Sequence, residues 1–145
     1  MDFKDLVPTL QVAIGPVILI SGVGLLLLSM TNRFGRVIDR TRQMADALRK
    51  APPLERSSLS NQLQILIYRA RLVRLCIALA SLSVLLAAIL VIGLFFMQLL
   101  RLDAALPIVI LFIACLISLV ASLVVFIMDI NLSLTALEHE IEVEK

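Results

Sequence analysis

Few residues in this chain are able to carry chemistry, and most of them gather at one boundary. Arg33, Asp39, Arg40, Arg74 and Asp129 each lie close to a point where a long uncharged stretch begins or ends. A carboxylate so near hydrocarbon needs a cation within reach, because an unpaired charge out of water is strongly destabilising. Arg33 or Arg74 is the expected partner of Asp129. Hydrolytic chemistry has no comparable set. Ser21, Ser81, Ser83, Ser118 and Ser122 sit in apolar sequence, with no histidine or carboxylate three or four residues away to activate them. His139, the single histidine, is flanked by Glu138 and Glu140, which point away from it on a helix, so only Glu142 shares its face. Cys76 and Cys115 fall at different depths of different apolar stretches, which argues against a disulfide and for small packing residues. These residues imply no catalysis, no cofactor and no metal.

The elements that must position them are dictated by composition. Of 145 residues, 61% are apolar and 17% charged, with a mean hydropathy of +1.05. Soluble proteins run at roughly 45–50% apolar and about 25% charged, so much of this surface must face lipid. No Asp, Glu, Lys or Arg occurs in residues 6–32, 75–100 or 104–128, stretches of 27, 26 and 25 residues. A bilayer core of about 30 Å needs roughly 20 helical residues, which places three transmembrane spans at about 9–30, 75–100 and 107–128. The first is about twice as long as the 7–15-residue core of a signal peptide and is preceded by Asp2 and Asp5, so it is expected to stay. Ten basic residues separate the first two spans, whereas Lys4 and Arg101 are the two on the other side. Positive charge is retained on the cytoplasmic side. That bias predicts a multi-pass protein of the cytoplasmic (inner) membrane, with its amino terminus outside and its carboxyl terminus inside.

Helical periodicity continues past the spans. Phe34, Ile38, Thr41, Ala45 and Leu48 step 4-3-4-3, and after Pro52 and Pro53 the same step returns at Leu59, Leu63, Leu66, Ala70 and Val73. Two such segments joined by a short turn predict a cytoplasmic helical hairpin over 31–74. Helix one would run from about Thr9 to Lys50 and helix two from about Ser57 to Leu100, with Ser57, Ser58 or Ser60 as N-cap. Ile130, Leu134, Leu137 and Ile141 repeat the pattern in an acidic helix over 129–145. The hairpin carries a net charge of +7 and the tail −4. Exposed ion pairs are worth only about 0–1 kcal/mol each, so the apolar seams hold the helices and the charges select which faces meet. The expected fold is all-α: three long helices forming a single membrane domain over 1–145.

Helix one carries a second line, on the side opposite its seam: Gln11, Gly15, Ile18, Gly22, Leu25, Ser29, Asn32 and Arg36. Small residues let helix backbones approach closely in a membrane, so the line reads as an oligomer face. Placed around a symmetry axis it reads as a pore, with Ile18 and Leu25 as an apolar constriction and Asn32 and Arg36 as an inner ring. Helix three has a small-residue strip of its own, Ala114, Ser118 and Ser122, leading to Asp129.

The stretch Met30-Thr-Asn-Arg-Phe-Gly-Arg-Val-Ile-Asp-Arg-Thr-Arg42, directly after a first span rich in small residues, resembles the uncharacterised bacterial three-span membrane family known as domain-of-unknown-function family number 2721. The likeness covers nearly the whole chain. The family's recurring Asn-Arg, Arg and Asp-Arg signature corresponds here to Asn32, Arg33, Arg36, Asp39 and Arg40. The resemblance implies membrane class and layout, and no activity. Nucleic acid is an unsuitable partner for the basic hairpin, since Asp39, Asp46 and Glu55 interrupt it and Tyr68 is its one aromatic besides Phe34. The expected partners are membrane lipid and further copies of the chain. The leading expectation is a non-enzymatic, self-assembling membrane protein, either a homo-oligomeric ion channel lined by helix one or a simpler assembly. The alternative is a scaffold or accessory subunit that holds an unidentified membrane or cytoplasmic protein through the hairpin.

Overall fold

The computed structural model describes residues 3–100 and 105–143, with side chains described for 7–8, 10–100 and 105–132. Among them are three α-helices and no strand: α1 (Phe3–Lys50), α2 (Arg56–Leu100) and α3 (Ala105–Val143). All three are long and apolar enough to cross a membrane, and the chain is a multi-pass membrane protein. The Arg101 to Asp103 part of the loop between α2 and α3 lies outside the described residues, as do the side chains of Leu134, Leu137, His139 and Ile141.

Helix α1 stops at Lys50 because Pro52 disfavours helical geometry at Ala51 and neither Pro52 nor Pro53 can donate to a continuing helix. The Glu55 N–H then donates to the Pro52 carbonyl at 3.1 Å, closing a turn, and the Leu59 N–H donates to the Glu55 carbonyl at 3.2 Å. That second bond makes Glu55 the residue before the helix, two residues ahead of the first serine expected as cap. Ser57, Ser58 and Ser60 are inside α2 rather than at its cap. The Arg56 Nε donates to the Ala51 carbonyl at 3.2 Å, satisfying one of the acceptors left open where α1 ends. Helix α1 also begins earlier than hydropathy suggested, at Phe3 rather than about Thr9, since nothing before Thr9 breaks a helix except Pro8, which α1 accommodates.

The chain divides into two compact units, each drawing on all three helices: Met1–Leu28 with Ala78–Ala121, and Ser29–Ile77 with Ser122–Lys145. In the first unit the interior is mostly small and weakly polar, built from Ala13, Ala80, Ser83, Ala87, Cys115 and Ser118 with Val23 and Leu90 as its larger aliphatic members, while Ile18, Leu25, Ile92 and Ile117 point outward at 64–71% exposure. This inverts the polarity of a water-soluble domain. It suits hydrocarbon, where large aliphatic side chains are solvated and small residues let helices come close. The second unit has the opposite surface: Arg36, Asp39, Arg40, Arg42, Asp46, Arg49 and Lys50 of α1 are exposed.

Within the second unit the core of α1 is turned slightly from the anticipated seam. Phe34, Ile38, Thr41, Ala45 and Leu48 are half-buried, and Met30 and Val37, seven residues apart, are the buried pair. The Thr41 hydroxyl bonds back to the Val37 carbonyl at 2.7 Å, which spares it an unmet donor in this partly apolar setting. On α2 the seam is as spaced: Leu66 and Val73 are buried and Leu59, Leu63 and Ala70 half-buried.

Candidate functional site

The most unusual chemistry in the structure is a buried carboxylate in the second unit. Helix α3 brings Ser122, Phe126 and Asp129 to one face, helix α1 brings Met30 and Arg33, and helix α2 brings Leu66, Arg69, Val73 and Cys76, each set at the three- and four-residue steps that share a helix side. The Asp129 side chain is 1% exposed; Arg33 Nε lies 3.0 Å from its Oδ2, and Arg69 Nε lies 3.7 Å from its Oδ1. Each oxygen therefore faces its own guanidinium. The Arg33 guanidinium also sits over the Phe126 ring, 5.7 Å from its centroid. Ring faces attract such a cation and cost less to desolvate than a polar neighbour. Removing either charge from so buried a set leaves the other uncompensated, whereas the complete set ties all three helices together.

Farther along the same faces is a sulfur and hydroxyl layer. The Ser122 hydroxyl donates to the Cys76 carbonyl at 2.8 Å, and the Cys76 thiol donates to the Ser122 carbonyl at 3.0 Å. The Met30 sulfur touches the same thiol at 3.6 Å. In the first unit the exchange is repeated with the residue types swapped between helices. The Ser83 hydroxyl donates to the Cys115 carbonyl at 3.0 Å and the Cys115 thiol to the Ser83 carbonyl at 3.3 Å. Ser118 adds a bond to the Leu79 carbonyl at 2.8 Å. Both cysteines are buried free thiols. Their arrangement is a helix clasp: every small side chain caps a backbone carbonyl of the facing helix, and among the described residues no histidine or carboxylate is paired with a serine of these clasps.

Of the boundary residues singled out by sequence, the structure brings together Arg33 and Asp129 and leaves Asp39, Arg40 and Arg74 exposed. The second cation on Asp129 is Arg69, not Arg74. The reason is rotational: Arg69 is three residues from Leu66 and four from Val73, both buried, while Arg74 follows Val73 by one residue and is carried about 100° around the helix. Extending the α2 seam by its alternate positions was the available signal. The Cys–Ser clasps had one too, since Cys76 and Ser83 are seven apart on α2, as are Cys115 and Ser122 on α3.

The outer line of α1 is exposed throughout: Gln11, Gly15, Ile18, Gly22 and Leu25 in the first unit, Ser29, Asn32 and Arg36 in the second. A Cβ added at Gly15 or Gly22 would meet nothing within 4 Å beyond the adjoining residues and backbone of its own helix. The chain's other glycines are equally open, but these two alone recur at heptad spacing on one face. Arg36 and Asp39, spaced to pair along the helix, are both exposed, and no ion pair joins them.

A model of one protein family matches residues 13–139, taking in all of α2, most of α1 and α3, and the Asn32 to Arg40 signature; its description is a protein of unknown function (DUF2721). The chain belongs to that family. The DUF2721 match takes in Arg33, Arg69 and Asp129 alike, so the ion-paired core lies within the family region. No curated protein and no solved structure matches the chain.

Proposed function

We propose that this DUF2721 protein is a non-enzymatic, self-assembling membrane protein, and that the outer line of α1 is the contact between its copies. The observation that carries this reading is the pair Gly15 and Gly22. Glycine in a helix costs about 1 kcal/mol relative to alanine, and packing within the chain requires no glycine at either position, since the space around them is open. A second helix backbone drawn close along that face supplies the missing reason. Gln11, Ser29 and Asn32 on the same line then find polar partners in the neighbouring copy. We take the membrane to be cytoplasmic, with the amino terminus outside and the hairpin and carboxyl terminus inside, on the ten-to-two distribution of basic residues.

The test is the mass of the solubilised complex by native mass spectrometry, with Gly22→Leu as the variant. A multiple of the 16.0 kDa chain that collapses in Gly22→Leu supports the reading; a wild-type monomer overturns it.

A pore is the second reading, favoured by the sequence of side chains along the exposed line. Ile18 and Leu25 are apolar between Gln11 and the pair Asn32 and Arg36, an order suited to an apolar constriction with a cationic mouth. It requires a ring of four or more copies. Leu25→Ser or Arg36→Glu then changes conductance or ion selectivity in liposomes, and silence in wild type and both variants removes the pore while leaving the assembly. A scaffold that acts through the hairpin is the remaining alternative: deleting Arg49 to Arg56 would abolish co-purification of its partner.

A further inference from the structure

We propose that the exposed α2 face formed by Tyr68, Arg71, Arg74 and Leu75 binds the headgroup of an anionic phospholipid. The run Arg69-Ala-Arg71-Leu-Val-Arg74 is sorted by helix rotation. Arg69 turns inward to Asp129, and Arg71, two residues and about 200° later, is exposed together with Arg74. The buried carboxylate is therefore served by Arg33 and Arg69, and the outward pair has no acid at its level: between the Arg69–Asp129 and Cys76–Ser122 contacts α3 has no carboxylate from 122 to 128, α1 has none from 29 to 38, and Asp129 itself is enclosed. Arg71 and Arg74 are one helical turn apart, close enough for two guanidiniums to share one phosphate.

What identifies the anion as a lipid is the company the arginines keep. Arg74 is the last charged residue before 26 uncharged ones, 75–100, so its guanidinium stands where hydrocarbon gives way to headgroups. Ile67, Tyr68 and Leu75 on the same face are exposed at 38%, 52% and 49%. Tyr68 is the sole tyrosine of a chain that has no tryptophan; it lies six residues, about 9 Å, on the water side of Arg74, and an amphipathic ring of this kind belongs at the headgroup level. A free inorganic phosphate would have no use for these apolar neighbours. A phosphodiester carrying acyl chains uses both halves of the face.

The experiment is native mass spectrometry of the intact 145-residue chain released from micelles doped with phosphatidylglycerol or, in parallel, phosphatidylcholine. Wild type is expected to retain phosphatidylglycerol preferentially. The preference falls about fivefold in Arg71→Gln or Arg74→Gln and about 30-fold in the double variant, from the typical attraction of one basic residue for an anionic surface. Arg40→Gln with Arg42→Gln, exposed on α1 about 12–15 Å beyond Asn32, leaves the preference unchanged. Circular dichroism on the same samples reports folding, and the single variants, whose side chains leave the core intact, keep the question answerable if the double variant unfolds. Equal retention of the two lipids by wild type overturns the proposal. So does an undiminished preference in the folded single variants, or displacement of the lipid by millimolar inorganic phosphate.

Discussion

Arg33 Nε stands 3.0 Å from Asp129 Oδ2, with the carboxylate side chain 1% exposed and the arginine 25% exposed. The pair joins α1 to α3, and Arg69 at 3.7 Å brings in α2. One carboxylate thereby holds three helices in register. Because it is buried, its loss is felt by two cations at once.

Asp129→Ala is therefore expected to destabilise the protein by about 3–5 kcal/mol, the cost of leaving buried cations without their anion. Titration with a denaturing detergent, followed by helical circular dichroism, measures it. Replacing the whole set with Arg33→Met, Arg69→Met and Asp129→Leu recovers most of the loss, because apolar residues of similar volume remove the desolvation cost on both sides. If Asp129→Ala unfolds together with wild type, the cluster does not hold the fold.

Arg69→Gln and Arg74→Gln separate the inward arginine from the outward one. In neutral detergent, without anionic lipid, Arg69→Gln lowers stability measurably, while Arg74→Gln stays within about 0.5 kcal/mol of wild type, as surface substitutions do. The reverse ranking would mean that Arg74 is the true second partner of Asp129.

Buried thiols that already donate to carbonyls react slowly. Cys76 and Cys115 are expected to resist maleimide in the folded protein and to label fully once it is unfolded, with no mass loss corresponding to a disulfide. Ser83→Ala or Ser122→Ala costs about 0.6 kcal/mol and at most about 1.7, the range for hydrogen bonds between membrane helices. Rapid labelling of either cysteine without denaturant would show that the clasp opens.

Gly15→Ala and Gly22→Ala offer a test of where the glycines matter. In the dissociated chain each should raise stability by up to about 1 kcal/mol, since alanine is the better helix former and the added methyl meets no other helix of its own chain. In the assembled state they should weaken association instead. Opposite signs in the two states, read by unfolding below and above the association range, would mark these as intermolecular positions.

The three helices were legible in the sequence because each cause is local. Charge-free stretches of 27, 26 and 25 residues exceed what a bilayer needs, and Pro52 with Pro53 forces the break between α1 and α2. The exposure of the eight-residue line on α1 was legible for the same reason: a period of 3.6 residues assigns faces once one seam is known. Depth offered Arg33 or Arg74 as the partner of Asp129. Depth, however, did not separate Arg69 from Arg74, which differ chiefly in azimuth.

By itself, then, the sequence determined the solvent of each segment, the number of helices and where they break, because hydropathy and proline act within a few residues of themselves. Tertiary structure alone decided which arginines of α1 and α2 close on Asp129, and that Cys76 answers Ser122 while Ser83 answers Cys115. Those choices depend on the relative rotation and register of helices more than 30 residues apart in the chain. Close packing sets both, and no single helix contains the information.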